Sequence, residues 1–172
     1  MKSIKYILAS FFAILFLLNC GSDKKKDEKE SQKIKINTPE KEVETIDENI
    51  ANIVITGNDV MKFNTNEIKV KSGQKVKLTL RHIGKLDIKI MGHNFVILKK
   101  DVDVSEFAAL AASANDNQYI PKDSEDILVH TDLIGGGQTT SIEFDAPEAG
   151  TYSFLCSFPG HYAMMKGSFI VE

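Results

Sequence analysis

The chain has 172 residues, of which 42% are hydrophobic and 26% charged, with a formal net charge of −3 and two cysteines. Residues 51–172 are mildly acidic and hold no cluster of basic residues, which argues against nucleic-acid binding. Cys20 and Cys156 lie in regions of different character, which excludes a disulfide framework and a four-cysteine zinc site.

Residues 1–19 carry the marks of an export signal. Lys2 and Lys5 precede an apolar run from Tyr6 to Leu18, broken by Ser10. A charged start and a short apolar stretch form a secretory signal, whereas a spanning helix needs about 20 apolar residues. Leu17-Leu18-Asn19-Cys20-Gly21 resembles a bacterial lipobox, with Asn19 replacing the small residue usual before the cysteine. The resemblance implies lipidation of Cys20 and a chain exported to the bacterial cell envelope, facing the periplasm or the outer surface. Residues 20–50 hold seven lysines and nine acids and no aromatic. Such a stretch cannot bury enough apolar surface to offset chain entropy, so it reads as a disordered tether.

Residues 51–172 contain 12 Lys+Arg and 15 Asp+Glu and are long enough for one domain with a sizeable core. Ala51–Thr56 is rich in Val and Ile and stops at the turn cluster Gly57-Asn58-Asp59. Along Lys75–Leu80, Val76, Leu78 and Leu80 alternate with polar residues, the period-2 pattern of a half-buried strand. Phe95–Leu98, Ile127–Val129, Thr139–Phe144, Tyr152–Cys156 and Ser168–Val171 are further strands between turn residues. Ser105–Ala114 is the exception. Phe107, Leu110, Ala111 and Ala114 share a helical face there, with Ser105 as N-cap and Asn115 ending the run. The pattern predicts an all-β Greek-key sandwich or barrel with one short inserted helix.

The chemistry lies in Cys156-Ser157-Phe158-Pro159-Gly160-His161-Tyr162-Ala163-Met164-Met165-Lys166-Gly167. A thiolate, an imidazole and a thioether fall within ten residues, and Pro159-Gly160 turns the chain back on itself. Thiolate with imidazole suits copper, iron or zinc, and a weak thioether points to copper. His93, in Met91-Gly92-His93-Asn94-Phe95, is the best-placed second histidine. Gly92 allows the backbone close to a metal, and Asn94 can lock neighbouring loops.

These motifs resemble the azurins, blue-copper proteins of the cupredoxin family, across essentially all of 51–172. The resemblance rests on Met-Gly-His-Asn at 91–94 and Cys-x-Phe-Pro-Gly-His-x-Ala-x-Met-Lys-Gly at 156–167. Gly57-Asn58-Asp59, Met61 to Asn66, and His130-Thr131-x-Leu133-Ile134-Gly135 add to it. It implies one type 1 copper ion held by His93, Cys156 and His161, with Met165 axial and the Gly92 carbonyl a distant fifth contact. Asn94 and the Phe158 N–H would surround the thiolate. It also places Met61, Leu86, Ile90, Met91, Phe158 and Met164 as an apolar patch around His161 where redox proteins dock. His82 would lie beside the site without binding metal, and His130 on an exposed loop. Two features depart from the family: its usual disulfide and its core tryptophan are missing, with Phe95 in the tryptophan's place.

The expected function is one-electron transfer by a membrane-anchored blue-copper protein, not an enzyme. The alternative is a copper carrier or stress-protection lipoprotein without fast electron transfer.

Overall fold

The computed structural model describes residues 48–172. The signal at 1–19, the lipidation site Cys20 and the tether up to residue 47 lie outside the described residues.

Nine strands form two sheets. In chain order they are β1 (Ile50–Asn58), β2 (Lys62–Phe63), β3 (Glu67–Val70), β4 (Lys75–His82), β5 (Val96–Leu98), β6 (Ile127–His130), β7 (Thr139–Asp145), β8 (Gly150–Leu155) and β9 (Lys166–Val171). One sheet has the order β2-β1-β4-β7 and the other β3-β9-β8-β5-β6. Two pairings are parallel: β1 runs beside β4 from Ile50↔Lys75 to Gly57↔His82, and β3 runs beside β9. This is the expected cupredoxin β-sandwich.

The sheets meet through alternating residues. On β4, Val76, Leu78, Leu80 and His82 are buried, while Lys75, Lys77, Thr79 and Arg81 face outward. His82 thus continues the inward register of an apolar strand. Between the sheets lie Ile55, Phe63, Phe95, Phe154, Phe169 and the thiol of Cys156. Phe95 and Phe154 stack with ring centres 4.7 Å apart in this core. On the outer face, Lys75–Asp145 at 2.7 Å and Lys77–Glu143 at 3.3 Å link β4 to β7. Such exposed pairs contribute only about 0.2–1 kcal/mol each, so burial dominates.

The structure corrects the predicted helix. Helix α1 is a single short turn, Ile88–Met91, and the longer α2 spans Val104–Ala112. The N-cap of α2 is Asp103, not Ser105. Its carboxylate accepts from the backbone N–H of Ser105 at 2.8 Å and of Glu106 at 2.9 Å, satisfying two otherwise unpaired donors. Its buried face is Phe107, Ala108 and Ala111, and Leu110 faces solvent. This face covers the outer side of the second sheet, against Val96, Leu98 and Leu155. No helix among the described residues is long and apolar enough to cross a membrane.

Candidate metal centre

Three loops converge at one end of the sandwich. His93 follows α1, Cys156 follows β8, and His161 lies in the turn between β8 and β9. The Nδ1 atoms of both histidines and the Cys156 Sγ lie within 4.8 Å of one another, all buried. Sγ is 3.9 Å from His93 Nδ1, 3.7 Å from His161 Nδ1 and 3.8 Å from the Gly92 carbonyl oxygen.

Each side chain is oriented by its own element. Pro159-Gly160 reverses the chain, with Gly160 at φ +82°. His161 N–H then donates to the Phe158 carbonyl, and Met165 N–H donates to that of His161. Cys156 N–H donates to the Met165 carbonyl, so the loop carrying Cys156, His161 and Met165 closes on itself. Met165 is completely buried in the same core as Cys156, while Met164 is 64% exposed. That difference fits Met165, not Met164, as the inward thioether.

His93 is fixed by two glycines and a carbonyl. Its Nε2–H donates to the Asn58 carbonyl at 2.9 Å, which leaves Nδ1 as a bare lone pair toward Sγ. A Cβ on Gly57 would sit 2.7 Å from the His93 ring, and one on Gly92 would meet the Ile88 carbonyl at 2.6 Å. Neither position has room for a side chain. His82 stacks flat on His93, with ring centres 4.3 Å apart. It accepts from Gly84 N–H on Nδ1 and donates from Nε2 to the Met91 carbonyl. With both nitrogens committed, His82 supports the His93 ring from behind. His130 is exposed, as expected, but it ends strand β6 instead of lying on a loop, and it contacts the Thr131 carbonyl.

A hydrogen-bonded strap joins the loops. Asn94 Oδ1 accepts from Ser157 N–H at 2.9 Å, and its amide donates to Ser157 Oγ at 2.8 Å and to the Gln118 carbonyl. Ser157 Oγ donates to the Tyr119 carbonyl, and Gln118 Oε1 accepts from Leu133 N–H at 2.6 Å. Leu133 precedes Ile134, which bridges to His93 through paired backbone bonds. Gln118 and Tyr119 both adopt left-handed backbone conformations, at φ 56° and 61°. The sequence reading found Asn94 but gave no role to Ser157, Gln118 and Tyr119, whose bonds pair polar side chains with each other and with backbone groups of distant loops.

Electrostatics match a soft cation. Burial pushes the Cys156 thiol up to about 12, against the opposing pull of the Asn94 and Phe158 N–H groups. Burial likewise pushes His161 down to about 4 and holds His93 below its ordinary value. At neutral pH both imidazoles are therefore neutral ligands, and only a cation can draw the proton from the thiol. Two imidazole nitrogens and one sulfur, with no carboxylate among them, fit copper better than a hard metal.

Around this end, Leu86, Ile90 and Met164 are exposed, and Met61 and Met91 are half-buried. Phe158 differs from the reading as an exposed rim residue: it is buried, its ring 4.6 Å from that of His161, and forms the floor beneath the others. Val60 and Ile83 are also exposed on the loops beside Asn58 and His82 and enlarge the apolar surface. His161 itself is only 3% exposed. Its Nε2 has no hydrogen-bond partner among the described residues.

Comparison with known proteins agrees with this geometry. Residues 49–172 match the family model described as copper binding proteins of the plastocyanin/azurin family. The chain is 43% identical over 118 residues to azurin-1 of Alcaligenes xylosoxydans xylosoxydans, covering 66% of this chain and 91% of that one. It is 39% identical over 122 residues to the azurin of Pseudomonas aeruginosa, covering 69% and 82%. Among solved structures it is similar to auracyanin A, described as a "blue" copper protein of Chloroflexus aurantiacus. That match has a TM-score of 0.65 at 28% identity and covers 72% of this chain and 99% of the other.

Proposed function

The chain belongs to the plastocyanin/azurin family of copper-binding proteins, and from this we propose that it is a one-electron carrier. In this proposal His93, Cys156, His161 and Met165 would hold one type 1 copper ion, with the Gly92 carbonyl beside it. The carrying observation is the buried convergence of two imidazole Nδ1 atoms on one thiol. Bound there, copper supplies a Cu(II)/Cu(I) couple.

The protein's part is to keep the ligands from moving between the two oxidation states. The closed loop from Cys156 to Met165, the Asn94–Ser157 bonds and the His82 stack all serve that end. The surrounding core excludes water, and His161 is the ligand that comes nearest the surface. Electrons therefore leave by the His161 face, where Met61, Leu86, Ile90, Met91 and Met164 over Phe158 offer a dry contact to a redox protein. Electron transfer rather than catalysis is the role, since the cluster offers ligands and no acid or base free for a substrate. Export and anchoring through a lipidated Cys20 complete the reading, with the domain held at the cell envelope by residues 20–50.

A visible spectrum of the oxidised, copper-loaded protein tests the central claim. Intense blue absorption is expected, and Cys156→Ser should abolish it because the transition needs a thiolate. A colourless protein that stoichiometrically retains zinc would overturn the electron-carrier reading.

A further inference from the structure

Lysines surround the metal end without partners. Lys62 and Lys166 line one hollow with Ala163 and Met164. Lys85 lies next to Leu86, and Lys89 stands beside Ile90 on α1. All four are exposed, and none forms an ion pair among the described residues. Elsewhere Lys69, Lys75, Lys77 and Lys122 each pair with an acid, while Lys71, Lys99 and Lys100 form no ion pair among the described residues.

The acids at this end are turned to internal tasks. The Asp59 carboxylate accepts from Lys85 N–H at 2.7 Å and from Leu86 N–H at 3.2 Å, bonds that hold it below the usual carboxylate range. Asp87 caps α1 by accepting from Lys89 N–H. They fold the loop that presents the lysines and offset two of the four charges. Further along the chain Asp116, Asp123, Glu125 and Asp126 fall on one stretch with Lys122 among them, and Asp132 adjoins Leu133 of the strap. A domain that is acidic in total therefore carries a positive collar around its apolar patch.

We propose that the protein docked at this patch carries a carboxylate-rich rim around an apolar centre, and that the collar of Lys62, Lys85, Lys89 and Lys166 steers it there. This rests on the electron-carrier reading and adds the partner's chemistry. Complementary charge at a rim acts mainly on the rate of encounter, while the dry centre sets the contact. The same collar repels a second copy of this domain and any basic partner.

The test uses the full copper-loaded chain with two c-type cytochromes, one acidic and one basic around the exposed haem edge. Electron transfer to the acidic cytochrome should slow at least about tenfold as ionic strength rises from about 0.01 to 0.5 M, whereas transfer to the basic one should quicken. Lys62→Glu with Lys166→Glu should lower the low-salt rate with the acidic cytochrome about tenfold and flatten its salt dependence, and Lys85→Glu with Lys89→Glu should do the same. The pair Lys71→Glu with Lys99→Glu, away from the collar, should change it less than about twofold. An unaltered blue spectrum shows that each variant is folded. A salt-independent rate, or a faster low-salt rate with the basic cytochrome, overturns the proposal and leaves the carrier reading intact. Should no electrons pass, amide NMR shifts on adding the acidic cytochrome decide the matter separately. Shifts around Lys62, Lys85, Lys89 and Lys166 that vanish in high salt uphold it; none there at low salt overturns it.

Discussion

At the scale of single residues, the metal ligands are poised at some cost to the metal-free fold. A histidine held below its ordinary value near 6.5 binds fewer protons folded than unfolded. Its neutral burial favours folding above that value, and the benefit is lost as pH falls through about 4 for His161. Cys156 behaves in the opposite sense. Its folded value of about 12 lies above the ordinary 9.0, so its contribution is present below 9.0 and lost as pH climbs toward 12. Thermal unfolding of the copper-free protein, followed by circular dichroism at fixed ionic strength, should therefore show greatest stability between about pH 6.5 and 9, falling on both sides. A metal-free melting temperature that rises steadily from pH 7 to 4 would show that these histidines are not buried neutral. With copper bound the alkaline limb should flatten, because the thiolate is already formed.

At the scale of elements, the strap is the part that composition does not announce. Gln118→Ala removes the acceptor of Leu133 N–H but keeps the backbone carbonyls that hold Asn94 and Ser157. Because water can reach that N–H, its loss should cost only about 0.5–1.5 kcal/mol in chemical denaturation, with the blue band scarcely moved. A large spectral change with no loss of stability would mean that the Gln118 side chain acts on the ligands directly. Legibility in the sequence follows the same divide. The alternation of β4 was readable because one face is core, and it carried His82 inward with it. Cys156, His161 and Met165 were readable because they share one loop with a proline–glycine turn. By contrast, β2 has two residues and exists only because Gly57 and Asn58 offer it a partner edge. The sequence reading gave β3 no strand, though Ile68 and Val70 alternate, because four residues are a short window and its parallel partner β9 lies far along the chain. Helix α1 is too short to show a period. Asp103 was passed over as a cap because Ser105 is an equally good cap type, and only the backbone decides which one reaches the free N–H groups.

At the scale of the whole molecule, one prediction concerns the anchor. Cys20→Ser should move the protein from the membrane fraction to the soluble fraction on cell fractionation, with copper binding retained. Equal membrane partitioning of the serine variant would exclude a lipid on Cys20 as the tie. The sandwich itself has a polarity that bears on any such attachment. β1 enters at Ile50, beside Lys75, and ends at Asn58, whose carbonyl holds His93. β9 leaves the metal end at Lys166 and finishes at Val171, where Glu172 pairs with Val70 and Ser72. Both ends of the described domain thus emerge at one pole, separated from the metal end by the length of β1, roughly 30 Å at strand rise. A surface that grips the described domain directly at this pole, such as an electrode, would hold it with the redox pole outermost. Partners arriving from the open side then meet the working face unobstructed. For a partner fixed in the same surface, the leash has to let the domain topple over, and its length sets the local concentration at which the two faces meet.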